Sequence, residues 1–117
     1  MKITERAVGD VTVLDLDGPL VGGPGTDGLK DKMNSLVVQK LTRIVVNLGG
    51  VAQIDSSGLG ELVTCLTTVR KAGGTLKLLN LTKRNHELLS ITRLVTVFET
   101  FDSEAAAVSS FGPAASA

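Results

Sequence analysis

A polar turn between a short apolar run and an amphipathic segment constrains the fold more than any other feature of the chain. The run Arg43–Leu48 is rich in β-branched residues, which is typical of a buried strand. Beyond the turn, apolar residues recur at the three- and four-residue spacing of one helix face: Leu59, Leu62, Val63, Leu66 and Val69. A strand that leads through a turn into a helix predicts an α/β unit with the turn at the carboxyl end of the strand. Partners and ligands usually bind at that edge of an open α/β sheet.

The turn carries an acidic residue and two adjacent hydroxyls, Asp55, Ser56 and Ser57, followed by Gly58 and Gly60. Helix capping alone would select Asp and Ser here, because their side chains accept hydrogen bonds from the first backbone N–H groups of a helix. The position also suits a second use, since those N–H groups and the helix dipole favour negative charge. A serine in this turn is therefore a candidate for carrying a phosphate, and capping is the alternative interpretation.

Composition is that of an ordinary globular domain and argues against several functions. The chain has 117 residues, of which 43% are apolar, and this length fits one domain. Twelve basic and 12 acidic residues give a formal charge of zero, and there are three Phe and no Tyr or Trp. The chain therefore has no basic excess to bind a phosphate backbone and few aromatic rings to stack on bases, so we expect no nucleic-acid binding. No apolar run is long enough for a membrane span and no leader is recognisable, which predicts a cytoplasmic protein.

Other candidates for chemistry are isolated. Cys65 is the single cysteine, so it forms no internal disulfide or metal pair, and we expect a small core residue. His86 is the only histidine and is predicted at the surface, while the loop Gly22–Gly25 lacks the Gly-Lys-Ser/Thr of a phosphate cradle. We therefore expect no enzyme, no metal site and no cofactor. Lys83 and Arg84 lie at a helix start, where the helix dipole disfavours cations. This suggests that their positive charges serve a contact outside the helix.

Strand and helix signals alternate along the remaining chain. Two strands joined by a turn at Gly9-Asp10 predict an antiparallel hairpin over residues 3–16, and a loop over 18–25 precedes a helix capped by Thr26. After the central strand and helix, we predict four further elements: a strand over 76–80, a helix capped by Thr82 that carries Leu94, a short strand over 97–100 and a helix over 103–111.

The predicted fold class is α/β. Alternating strands and helices indicate a small sandwich with a mostly parallel sheet of about five strands, an N-terminal antiparallel hairpin and about four helices. Residues 1–111 are expected to form a single domain, and residues 112–117 a disordered tail.

These features together resemble a known family, the STAS domain. The order of elements, the strand Val45–Leu48, the turn Ile54–Gly60 and the helix end Ala72–Gly74 are similar to the stand-alone bacterial anti-sigma factor antagonists. The resemblance covers about residues 3–111. It implies that the serine directly after the aspartate, Ser56, is phosphorylated by a partner kinase that is also the anti-sigma factor, with Ser57 as the alternative site.

The resemblance also implies how the protein acts. The unphosphorylated form would bind the kinase and release a sigma factor, and a phosphatase would restore that form after phosphorylation. The protein is then a substrate and a switch, and ATP and magnesium belong to the kinase. The expected contacts with the partner are residues of the turn and of the following helix: Asp55, Ser56, Ser57, Gly58, Leu59 and Leu62. For the two leucines, burial in the core is the alternative.

One segment departs from the family pattern. Family members usually show Gly-Glu-Leu/Ile-Asp after the second strand, whereas this chain has Gly18-Pro19-Leu20-Val21 and so lacks both carboxylates. The difference could change kinase docking or abolish the phosphoswitch. Two alternative functions follow: a scaffold subunit of a signalling assembly or transport system, and a module that binds a small ligand.

Overall fold

The computed structural model describes residues 2–22 and 24–112. Within these residues the chain forms five strands, four α-helices and one short 3₁₀ helix. In chain order they are β1 (Lys2–Val8), β2 (Val11–Asp17), α1 (Pro24–Val38), β3 (Arg43–Gly50), α2 (Ser56–Lys71), β4 (Thr75–Leu79), α3 (Lys83–Ile91), the 3₁₀ helix (Leu94–Thr96), β5 (Thr100–Phe101) and α4 (Glu104–Ser109).

The strands form one mixed sheet in the order β1-β2-β3-β4-β5. β1 pairs with β2 in an antiparallel hairpin, and the other three pairings are parallel. Gly9 makes the hairpin turn with φ +62°, a conformation that glycine adopts without steric cost. The structure confirms the predicted α/β class, the N-terminal hairpin and the mostly parallel sheet.

The larger core lies between the sheet and the helices α1, α2 and α3. Alternate residues of β3, Ile44, Val46 and Leu48, are buried on this face, as the two-residue period of a strand requires. α2 contributes the stripe predicted from its spacing, with Leu62, Leu66 and Val69 in the same cluster. This packing holds the beginning of α2 at the carboxyl end of β3.

The other face of the sheet carries a smaller core under α4, with a lysine inside it. Lys77 is 4% exposed. Its ammonium donates to Ser110 Oγ at 2.7 Å, pairs with Glu99 at 3.1 Å and lies 4.5 Å from the centre of the Phe111 ring. These contacts compensate the desolvation of the buried charge, so the lysine fixes the C-terminal helix to the sheet.

Several predicted boundaries are wrong. α1 begins at Pro24, so the predicted loop is shorter and Thr26 lies inside the helix, because proline suits the first helical position. α3 ends at Ile91, and Arg93, with φ +62°, separates it from the 3₁₀ helix that contains Leu94. The predicted strand over 97–100 is instead β5, at residues 100–101, and the last helix spans residues 104–109.

The expectations for Thr82, His86 and Cys65 are confirmed. Thr82 caps α3 by accepting a hydrogen bond from the Asn85 N–H, and His86 is exposed. Cys65 is buried, and burial raises the pKa of its thiol to about 12. Among the described helices, none has the length and apolar character that a membrane crossing requires. Of the predicted tail, residues 113–117 lie outside the described residues.

Two glycines near the start of α2 test how tightly this helix packs. A Cβ at Gly58 would lie 2.0 Å from the Leu20 carbonyl oxygen, whereas a Cβ at Gly60 would meet nothing within 4 Å. We expect Gly58→Ala to lower the free energy of unfolding by at least about 2 kcal/mol through steric overlap with backbone. Gly60→Ala, the control, should raise it by about 0.5–1 kcal/mol through better helix propensity. Urea denaturation measures both, and equal stabilities for the two variants would contradict the packing.

Candidate functional site

The segment after β2 and the segment after β3 run side by side and form the base of the site. Gly18 N–H donates to the Gly50 carbonyl at 3.0 Å, and Leu20 N–H donates to the Gln53 carbonyl at 2.9 Å. The Leu20 carbonyl in turn accepts from Asp55 N–H at 3.2 Å. These backbone bonds continue the parallel pairing of β2 and β3 beyond the strands. They bring the residues around Gly22 to the beginning of α2.

The Asp55 carboxylate joins these two segments through its side chain. As the N-cap of α2 it accepts a hydrogen bond from Gly58 N–H at 2.8 Å. Gly22 N–H, on the other segment, donates to both carboxylate oxygens at 3.2 and 3.0 Å. The Gly58 N–H, and after it the Gly22 N–H, lower the pKa of this carboxyl below its ordinary value, because they stabilise the ionised form.

Close contacts explain why glycines occupy both segments. Gly58 is buried, and the Leu20 carbonyl oxygen leaves no room for a side chain there. At Gly22, a Cβ would lie 2.9 Å from both Cβ and Oγ of Ser57. The backbone at Gly22 therefore packs directly against the Ser57 side chain.

Both serines of the turn remain exposed. Ser56 and Ser57 are the first two residues of α2, at the carboxyl edge of the sheet, as the sequence predicted. Ser57 also packs against the backbone of Gly22. The structure thus brings Asp55, Ser56 and Ser57 together on one surface.

The other predicted partner contacts are buried. Leu62 is 0% exposed and Leu59 is 6% exposed, and both belong to the main core. They leave no apolar surface for a partner, so the alternative interpretation, core burial, is the correct one. Gly58 is likewise buried and serves the approach of the two segments.

Sequence reasoning missed the role of Gly22. Its contribution is a backbone N–H, which no side-chain motif reveals, although the glycine-rich loop was a signal that the backbone approaches another element there. Pro19, which is exposed, and Val21, which is half-buried, stand at the positions where the family pattern has carboxylates, and neither side chain carries a charge. Within the described residues, no group of three or more His, Cys, Asp or Glu side chains could hold a metal ion.

Comparison with known families identifies the fold. The STAS domain family model matches residues 2–107, which is most of the chain. The chain belongs to the STAS domain family. This STAS domain has no significant match among curated proteins.

Solved structures give the same fold. A proposed anti-sigma factor antagonist from Thermotoga maritima is 24% identical, with a TM-score of 0.82 and coverage of 92% of each chain. The phosphorylated form of the Bacillus cell fate determinant SpoIIAA is 20% identical, with a TM-score of 0.74, over 94% of this chain and 99% of that one. The murine anion transporter Slc26a9 is 18% identical with a TM-score of 0.74, over 88% of this STAS domain and 18% of the transporter.

The lowered pKa of Asp55 predicts a pH dependence. The pKa of Asp55 in the folded state lies below the unfolded value of 3.8. The ionised carboxylate therefore stabilises the fold above pH 3.8, and this stabilisation is lost as the pH falls through the folded-state pKa. Asp55→Asn keeps a capping oxygen and removes the charge, so it should lower the melting temperature at pH 7. The difference from the wild type should disappear well below pH 3.8. Thermal melts followed by circular dichroism from pH 7 to acid test this, and parallel profiles for the two proteins would contradict it.

Proposed function

We propose that this STAS domain is an anti-sigma factor antagonist that binds a kinase of the anti-sigma factor type and is switched off by phosphorylation of Ser56. The observation that carries the proposal is the exposed Ser56 beside the Asp55 carboxylate, on a rigid turn at the carboxyl edge of the sheet. A protein partner can reach this edge directly. The fold that the chain shares with SpoIIAA, which is phosphorylated in one of its solved structures, supports the same function.

The site explains how a phosphate would change binding. A phosphate adds nearly two negative charges. The N–H groups of Gly58 and Gly22 already bond to the Asp55 carboxylate, so a phosphate on Ser56 would compete with that carboxylate for these two donors and add its charge next to it. In a docked complex these like charges have to be desolvated together against the partner. A loss of about 3 kcal/mol weakens binding by about a hundredfold, which is enough to release the partner.

Packing favours Ser56 over Ser57 as the phosphorylated residue. The Ser57 hydroxyl is close enough to Gly22 that a single added carbon there would lie 2.9 Å from it. A phosphate on Ser57 has to find room beside this backbone. The contact therefore disfavours Ser57 as the acceptor and leaves Ser56, which is exposed, as the proposed site.

The partners carry out the phosphorylation and the dephosphorylation. The kinase supplies ATP and magnesium, a phosphatase restores the serine, and this STAS domain is their substrate in the cytoplasm. The segment Gly18–Gly22 lacks the carboxylates of the family pattern, yet the backbone bonds and Asp55 hold it against the turn. The interface thus keeps its shape and has fewer negative charges than the family pattern gives. This difference in charge changes the choice of kinase.

The intact mass of the protein purified from its own host tests the phosphoswitch. We expect the wild type and Ser57→Ala to show a species heavier by one phosphate, and Ser56→Ala to lack it. Peptide mapping then locates the phosphate. A phosphate retained in Ser56→Ala and lost in Ser57→Ala would contradict the assignment of the residue. No phosphorylated species in any growth or stress condition would contradict the switch itself.

A further inference from the structure

A cavity with apolar and charged lining opens on the surface of α3, and one of its lining residues, Ile54, precedes the proposed phosphosite by two residues. The cavity has a volume of about 260 Å³ and is lined by six residues of α3 and the turn: Ile54, Arg84, Asn85, Glu87, Leu88 and Ile91. Arg84, Leu88 and Ile91 follow the helical spacing of one face, so they form a single surface of α3. We call this surface the α3 cavity.

Ile91 extends the apolar part of the α3 cavity lining to the surface. It is the last residue of α3 and 80% of its side chain is exposed, so burial by a partner would remove this apolar area from water. Ile54 and Leu88 continue the apolar lining toward the core. The three side chains line one cavity, and a contiguous apolar surface of this kind marks an interaction site, whereas a single exposed aliphatic residue does not.

Arg84 lines the α3 cavity, and two further cations, Lys83 and Arg93, lie close to the cavity residues in sequence. Lys83, Arg84 and Arg93 are exposed, and none of them forms a salt bridge within the described residues. The dipole of α3 disfavours the cations Lys83 and Arg84 at its start, and the first turn contains no acidic residue to offset this. Only Glu87 adds a negative charge to the cavity lining. This charge distribution fits an acidic partner surface.

A buried side chain fixes α3 to the phosphosite turn. Asn85 is fully buried, and its Nδ2 donates to the Val51 carbonyl at 2.8 Å, in the segment that leads to Asp55. Its Oδ1 has no hydrogen-bond partner among the described residues. Ile54 lines the α3 cavity only two residues before Ser56. A partner that covers the serine is therefore held at a fixed position relative to the cavity.

From these observations we infer that the α3 cavity is the second contact of the same kinase partner. It receives an aliphatic or aromatic side chain of the kinase, which is surrounded by carboxylates that face Lys83, Arg84 and Arg93. The inference rests on the proposed function. It also supplies the apolar contact that Leu59 and Leu62, both in the core, do not provide. Phosphorylation then breaks the contact at Ser56, while the α3 cavity and the Gly18–Gly22 segment together select the kinase.

Calorimetric titration against the purified serine-kinase anti-sigma factors of the host tests the inference. Ile91→Ser and Arg84→Glu should each weaken binding of the wild type's partner by at least about tenfold. Val38→Ser is the control, because Val38 is 81% exposed at the end of α1, near the amino ends of the parallel strands. It should bind as the wild type does. Urea denaturation of each variant checks that its stability is unchanged.

The other outcomes separate the two proposals. If the wild type binds a kinase and Ile91→Ser binds it equally well, the α3 cavity is not part of the interface and the proposed function stands. If the wild type binds none of these kinases, both proposals are overturned. If the wild type self-associates in sedimentation and Ile91→Ser does not, the α3 cavity belongs to a second copy of the chain, which overturns the kinase assignment.

Discussion

The hydrogen bonds of the Asp55 carboxylate are the interaction on which the site depends. One side chain caps α2 through Gly58 and holds the neighbouring segment through Gly22. Without it, the hydrogen bonds found between the described residues of the two segments would be backbone bonds alone, and the first turn of α2 would lose its cap. The carboxylate already occupies these donors, so under the proposed function a phosphate on Ser56 would add its charge next to Asp55. The same interaction would then both build the surface and disfavour the phosphorylated form in a complex.

The packing around the carboxylate makes this surface rigid. Glycines at positions 22 and 58 allow backbone and side chains to approach at distances that no Cβ would tolerate. The buried Asn85 extends the same rigidity to α3 through the Val51 carbonyl. Turn, neighbouring segment and helix thus form one preorganised surface, and such a surface binds a partner with little loss of conformational entropy.

Much of this could be predicted from the sequence, for identifiable reasons. The period of Leu62, Leu66 and Val69 and the β-branched run before the turn specify a helix that packs on a parallel strand, and both are local signals. The cap at Asp55 is also local. The burial of Leu59 and Leu62 in the core could not be predicted from local signals. A helical stripe shows which face is apolar and does not show whether a partner or the core covers that face. Gly22 and the α3 cavity depend on contacts between distant segments, which spacing along the chain does not encode.

The central claim is that a phosphate on Ser56 changes partner binding through the Asp55 turn. Calorimetric titration of the host's anti-sigma factor kinase with unphosphorylated protein and with protein phosphorylated at Ser56 measures this directly. The account predicts tight binding of the unphosphorylated form and affinity lower by about a hundredfold for the phosphorylated form. Equal affinities for the two forms would contradict it, because the charge beside Asp55 would then have no effect on the interface.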